Sequence, residues 1–235
     1  ESVTVLNPTK GGADSITTGS GQDIILGAID ADTIFAGDGD NMVLGDTGSV
    51  TLDASGRATM IGQDTLNGGI DVITTGTGRD VIIAGLGGDS VISGAGDDAI
   101  LGDLGQYFAS QGGSNGILQS LTTTPVIGDD TISSGTGDDM VLAGLGDDTV
   151  NAGEGEDLIM GDNGYVTFAN NADIAVLEIR NTALGGNDLL ITEGAVGDDI
   201  VIAQVGADDV RTAGGDDVIA GDLTRILLSD PRTAL

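Results

Sequence analysis

Residues 130–160 read DTISSGTGDDMVLAGLGDDTVNAGEGEDLIM. An acid stands at Asp130, Asp139, Asp148 and Asp157, nine residues apart. An aliphatic residue follows each by two, at Ile132, Val141, Val150 and Ile159. Glycines fill the space between, as in Gly135-Thr136-Gly137-Asp138-Asp139-Met140-Val141. Each nonapeptide approximates x-G-x-G-x-D-x-U-x, with U aliphatic. Alternate side chains of a strand point to opposite faces, so one core-facing residue per nine fits a three-residue strand centred on U. The glycines permit positive φ and close backbone approach in the turn. Nine residues cannot bury a core alone, so the rows must stack.

The same phase runs along the chain. It links Asp14, Asp23, Asp32 and Asn41 to Ile16, Ile25, Ile34 and Val43. It links Asp71, Asp80, Asp89 and Asp98 to Ile73, Ile82, Val91 and Ile100. A last block joins Asp188, Asp199, Asp208 and Asp217 to Leu190, Val201, Val210 and Ile219; its first step is eleven residues, so Ile191 and Ala195 read as local insertions. The blocks open at 14, 71, 130 and 188, in steps of 57, 59 and 58. A unit of roughly 58 residues is therefore repeated four times, over about 7–48, 64–105, 123–164 and 181–224. Each block closes on a Gly-Asp signature: Gly45-Asp46-Thr47-Gly48, Gly102-Asp103-Leu104-Gly105, Gly161-Asp162-Asn163-Gly164 and Gly221-Asp222-Leu223-Thr224. Inserts follow at about 49–63, 106–122 and 165–180. Their alternating apolar residues and central turn signals predict β-hairpins. Val3 to Leu6 reads as a returning hairpin strand and Ile226 to Leu228 as an outgoing one, which suggests a piece of a longer array.

Composition narrows the chemistry. The 235 residues hold 38 acids and 7 bases, a net charge of −31, with 42 Gly and no His, Cys or Trp. No disulfide, Cys or His metal site is possible, and a Ser-His-Asp or Cys-His nucleophile has no base. So acidic a surface disfavours nucleic acid, and Asp interrupts every apolar run long enough to enter a membrane. Gly94-Ala95-Gly96-Asp97-Asp98-Ala99 fits a dinucleotide-binding pattern, but that motif needs a following helix and strands come next. Paired carboxylates such as Asp138/Asp139 recur at several turns, which makes them structural rather than glycosidase pairs. No catalytic residue is assigned and no enzyme activity is expected.

The nonapeptide G-x-G-x-D-x-U-x resembles the RTX (repeats in toxin) calcium-binding β-roll family over about sixteen rows. The resemblance implies an all-β, right-handed parallel β-roll with two rows per coil, here carrying regularly spaced hairpins. It implies calcium between turns stacked on the same side, row n above row n+2, as in Asp14 with Asp32 and Asp80 with Asp98. Calcium takes six to eight hard oxygens at ~2.3–2.6 Å, which carboxylates and turn carbonyls can supply. The implied side-chain ligands are the position-six residues named above, from Asp14 to Asp217, with Asn41 making a weaker site. The implied carbonyl donors are Gly19, Gly21, Gly37, Gly39, Gly76, Gly78, Gly85, Gly87, Gly94, Gly96, Gly135, Gly137, Gly144, Gly146, Gly153, Gly155, Gly206 and Gly215. At Gln204-Val205-Gly206 the first Gly is missing. Asp46, Asp103, Asp162 and Asp222 are either substitute ligands or plain turn caps. Roughly 8–14 ions are expected, the upper figure if stacking is uninterrupted.

In even rows the residues flanking U are apolar throughout, from Ile24/Leu26 and Met42/Leu44 to Leu142, Met160 and Val218/Ala220. So continuous an apolar face rarely stays exposed. Either the hairpins fold over it as a third layer, or it self-associates or meets a neighbouring repeat unit. The expected role is a calcium-folded repeat module of a large secreted or cell-surface bacterial protein, such as an adhesin, surface-layer or matrix scaffold. The resemblance implies export by a type I secretion system. The alternative is a secretion and folding module beside a protease, lipase or toxin domain. Calcium is the one partner expected; no nucleic acid and no membrane insertion are.

Overall fold

The structure is a computed structural model, and it describes residues 2–4, 10–63, 67–110, 115–121, 128–169, 173–180, 183–194 and 197–222. The turn signals of two inserts, Gly112-Gly113 and Asn170-Asn171, and the strand read at Ile226 to Leu228 lie outside the described residues. Every described element is a strand, and none is a helix.

Two parallel sheets face each other. Odd rows form one: Ser15–Thr17, Thr33–Gly37, Val72–Thr75, Ser90–Ala95, Thr131–Thr136, Thr149–Glu154, Leu189–Glu193 and Asp209–Arg211, paired in that order. Even rows form the other: Ile24–Leu26, Met42–Leu44, Val81–Ile83, Ala99–Leu101, Met140–Leu142, Leu158–Met160, Ile200–Ile202 and Val218–Ala220. U residues stack in register, for example Ile82 beside Ile100 and Ile100 beside Val141. The β-roll is thus continuous, because pairing runs across each insert as it does within a block, Val43 beside Ile82 and Val141 beside Ile159.

The U residues, from Ile25 to Val201, fill the space between the sheets. A second inward position, two residues after U, was not read from the sequence. It holds only small side chains: Ala36, Ala84, Ala143, Ala152 and Ala203 in the core, with buried Thr75, Ser93, Ser134 and Thr192. Inside the roll three of these hydroxyls find carbonyls of the next coil. Thr75 Oγ1 donates to Ser93 O (2.7 Å), Ser93 Oγ to Ser134 O (3.0 Å) and Ser134 Oγ to Ala152 O (2.9 Å).

The inserts are antiparallel hairpins: Gly48–Leu52 with Ala58–Gly62, Gly105–Phe108 with Gly116–Ser120, and Gly164–Ala169 with Asp173–Ile179. They join edge to edge, with Ser2–Thr4 at one end, into one seven-stranded sheet. That sheet lies over the even-row sheet. All sixteen outward even-row residues pack in one cluster with Val50, Met60, Tyr107, Leu118, Val166, Phe168 and Leu177 of the hairpins. Leu142 and Met160 are fully buried there, and Met42 is half-buried. The face that could have met a second copy or a neighbouring unit is occupied by the chain's own third layer. Across the roll, the odd-row sheet leaves Phe35, Val72 and Ile92 exposed.

Candidate metal centre

Each coil turns twice. The turns from odd to even strands form one column along one edge of the roll, and the turns from even to odd strands form a second. In a turn such as 135–139, Gly135 (φ 104°) and Gly137 (φ 127°) take backbone conformations that side chains resist. A Cβ on either would also fall on a carbonyl oxygen of the preceding coil, that of Gly94 or Gly96. Glycine is therefore required both by φ and by the stacking of carbonyls.

Position-six carboxylates cement each column. The backbone N–H of Asp14 donates to Asp32 Oδ1 (2.7 Å), that of Asp32 to Asp71 (2.7 Å), and that of Asp71 to Asp89 (2.8 Å). The series continues through Asp130, Asp148 and Asp188 to Asp208. The other column runs from Asp23 through Asn41, Asp80, Asp98, Asp139, Asp157 and Asp199 to Asp217. Both the Asp14–Asp32 and Asp80–Asp98 pairings that the resemblance implies are present, and no hairpin interrupts either ladder.

This leaves the second oxygen. Oδ2 of Asp23, Asp32, Asp71, Asp80, Asp89, Asp98, Asp130, Asp139, Asp148 and Asp188 is buried without a hydrogen-bond partner. Buried polar atoms are nearly always paired, so ten repeats of one orphan mark a missing partner of fixed type. Asn41 shows what each atom faces. Its Oδ1 accepts from Asp23 N as an aspartate's would, so its Nδ2 stands where their Oδ2 stands. That Nδ2 donates to Gly37 O (3.1 Å) and Gly39 O (2.7 Å) of its own turn. At an aspartate turn, a carboxylate oxygen and two carbonyls therefore converge, which is a cation's environment. Among the described residues no group of three or more His, Cys, Asp or Glu could hold a metal. The donor set is instead one carboxylate per turn plus backbone carbonyls, hard oxygens that suit calcium.

Burial makes these groups resist ionisation. It pushes Asp130 up to about 10, with the carboxylates of Asp148 and Asp89 adding to the effect. It holds Asp139 and Asp148 at about 8, and Asp89, Asp98 and Asp188 at about 7. Asp71 rises to about 6, against an ordinary 3.8. Bound cations remove this penalty by supplying the missing opposite charge.

Hairpin-bearing turns close differently. Asp46 takes the place held by Gly85 in the next coil; its Oδ1 accepts from Gly69 N (3.1 Å) and its Oδ2 from Leu86 N (2.5 Å). Asp162 does the same with Gly186 N (3.1 Å) and Val205 N (2.8 Å), and Asp103 Oδ2 accepts from Leu145 N (2.6 Å). These carboxylates clasp the outgoing and returning limbs, or one coil to the next, across the base of a hairpin. Asp222 is exposed at the last described turn. Gln204 keeps the left-handed φ of the glycine it replaces, 75°. Its buried amide accepts from Asp162 N and donates to Asn163 O, both at 2.9 Å.

Two sets of residues escaped the sequence reading. Gly69, Gly128 and Gly186 rejoin the column after each hairpin: a Cβ on Gly87, Gly146 or Gly206 would fall on their carbonyls. Their signal, a Gly two residues before the first Asp of a block, was there to be read. The first acids of the Asp-Asp pairs, together with Asp40 before Asn41, form an outer ladder of opposite sense, Arg79 N to Asp40 Oδ1, Asp138 N to Asp97 Oδ1 and Glu156 N to Asp138 Oδ1. This is the structural use of those pairs.

A family model described as RTX calcium-binding nonapeptide repeat (4 copies) matches residues 9–34, 17–52, 65–100, 74–107, 133–167 and 193–223, together more than half of the chain. No curated protein matches the chain.

Proposed function

The chain belongs to the family of RTX calcium-binding nonapeptide repeats, and on that premise we propose that it is a structural module of a large exported bacterial protein, folded by calcium outside the cell. Its repeats bind multiple calcium ions. The position-six aspartates are the side-chain ligands in this reading, and the stacked turn glycines supply carbonyls. The carrying observation is the set of ten buried Oδ2 atoms without partners. Without cations, a net charge of −31 opposes collapse. Extracellular calcium modules commonly bind at ~0.1–1 mM, so binding only the folded state couples folding to export. The module acts as a scaffold or extender rather than an enzyme. Regular units stack without interrupting either ladder, which suits a repeated spacer in an adhesin, surface layer or matrix.

Circular dichroism during calcium titration tests the proposal. A β signal should appear with calcium and vanish with EDTA. A β signal indifferent to EDTA would overturn it.

A further inference from the structure

Asn41 is the one position-six residue that carries no charge. It is 1 % exposed, and every polar atom of its side chain is engaged. Oδ1 closes the ladder with Asp23 N, and the two N–H bonds of Nδ2 meet Gly37 O and Gly39 O. Nδ2 therefore sits against two carbonyl oxygens of its own turn. It lies 2.7 Å and 3.1 Å from the two carbonyls. Calcium would need ~2.3–2.6 Å from the same oxygens, so amide and ion cannot share the space.

We propose that the Asn41 amide stands in for a calcium ion, so that the turn at 37–41 is closed by protein alone and its column holds one ion fewer than its turns would allow. This rests on the reading of the other position-six residues as calcium ligands, and it revises the expectation that Asn41 forms a weak calcium site. An amide can replace the ion because it reproduces the polarity the carbonyls require. It brings two donors for two acceptors and leaves Oδ1 free for the ladder. What it lacks is the ion's charge. A turn so closed is indifferent to calcium, and it offers the roll one coil-to-coil contact that forms before any ion arrives.

The test counts calcium per chain by equilibrium dialysis and elemental analysis at saturating calcium, with circular dichroism confirming the fold. Asn41→Asp should bind one ion more than the wild type. Its turn should also become calcium-dependent: amide exchange at residues 39–41, slow in limiting calcium for the wild type, should become fast. The converse change, Asp139→Asn, should bind one ion fewer while keeping the fold, because its new amide would face Gly135 O and Gly137 O. An unchanged or reduced count for Asn41→Asp overturns the inference. Should that variant fail to fold, Asp139→Asn decides: loss of its fold, or of more than one ion, overturns the inference too. A wild type that binds no calcium at all would instead overturn the proposed function.

Discussion

On one edge of the roll, each turn from Gly19 to Gly215 is a short loop, whereas on the other every second turn opens into a hairpin. Both edges carry the same unbroken inner ladder of Asp Oδ1 atoms. They differ in how the rest of the turn is closed. Both use backbone contacts, such as Gly137 N to Glu154 O (2.9 Å) on the short-loop edge and Gly144 N to Gly161 O (3.1 Å) on the other, and exposed outer acids such as Asp138 and Asp147. The hairpin edge replaces the first glycine of the turn with Asp46, Asp103 or Asp162, whose side chains bind backbone amides that the departed loop cannot reach. Stacking thus depends on the polar groups presented at the turn, not on chain continuity through it. A hairpin can be inserted wherever one buried carboxylate bridges its base. It is inserted after even strands because their outer face is the apolar one.

The largest effect expected is at the layer these hairpins form. Met160→Asp would bury an unpaired carboxylate between the even sheet and its cover, costing several kcal/mol and unfolding the module even in calcium. Thr131→Asp, on the open odd face, should shift stability by no more than about 0.5 kcal/mol. Equal losses in denaturant melts would break the contrast between the two sides.

Next comes pH. In EDTA, the carboxyls raised by burial (Asp130 to about 10, Asp46 and Asp148 to about 8, Asp89, Asp103, Asp162 and Asp188 to about 7) belong to the hairpin edge. The short-loop edge contributes Asp139 at about 8 and Asp98 at about 7. Above the ordinary 3.8 the calcium-free fold holds more protons than the unfolded chain. Its stability is therefore greatest near pH 4 and falls as pH climbs through these values. Circular dichroism in EDTA should show more β structure at pH 4 than at pH 8, and calcium affinity should weaken from pH 8 to pH 5 as protons compete. A calcium-free fold that strengthens with rising pH would contradict the burial described.

Asp46→Ala removes two hydrogen bonds to a buried carboxylate and should cost about 2–4 kcal/mol in a calcium-saturated melt. Its counterpart on the other edge, Asp40→Ala, loses an exposed outer-ladder contact and should cost at most about 1 kcal/mol. Inside the roll, Ser134→Ala should cost about 1 kcal/mol, because it strands the Ala152 carbonyl.

Much of this was legible in the sequence because the repeat fixes phase. The U residues and the position-six aspartates follow from one spacing, and the row-on-next-but-one stacking from the family resemblance that the spacing carries. The apolar face was legible too, since alternation assigns each flanking residue a side. The clasp was not legible: Asp46 meets Leu86 forty residues on, a distance set by the hairpin's length rather than by the repeat. Nor was the outer ladder, since Asp-Asp pairs read equally well as solvated turn acids. Asn41 looked merely uncharged, because composition says nothing about which carbonyls an amide faces.

The stacking direction has a mechanical corollary. In both parallel sheets the inter-strand hydrogen bonds run along the axis of the roll, and each coil advances it by about 4.8 Å. Tension along that axis loads one coil at a time, as in a zip, rather than shearing a whole sheet at once. A unit of roughly 58 residues makes two coils, so it adds about 10 Å of length folded and close to 200 Å when pulled out. The hairpin sheet crosses those coils with strands of its own, tying neighbouring teeth together. Such a module would give way in steps and re-form when the load is released, an extensible tether whose stiffness is set by dissolved calcium.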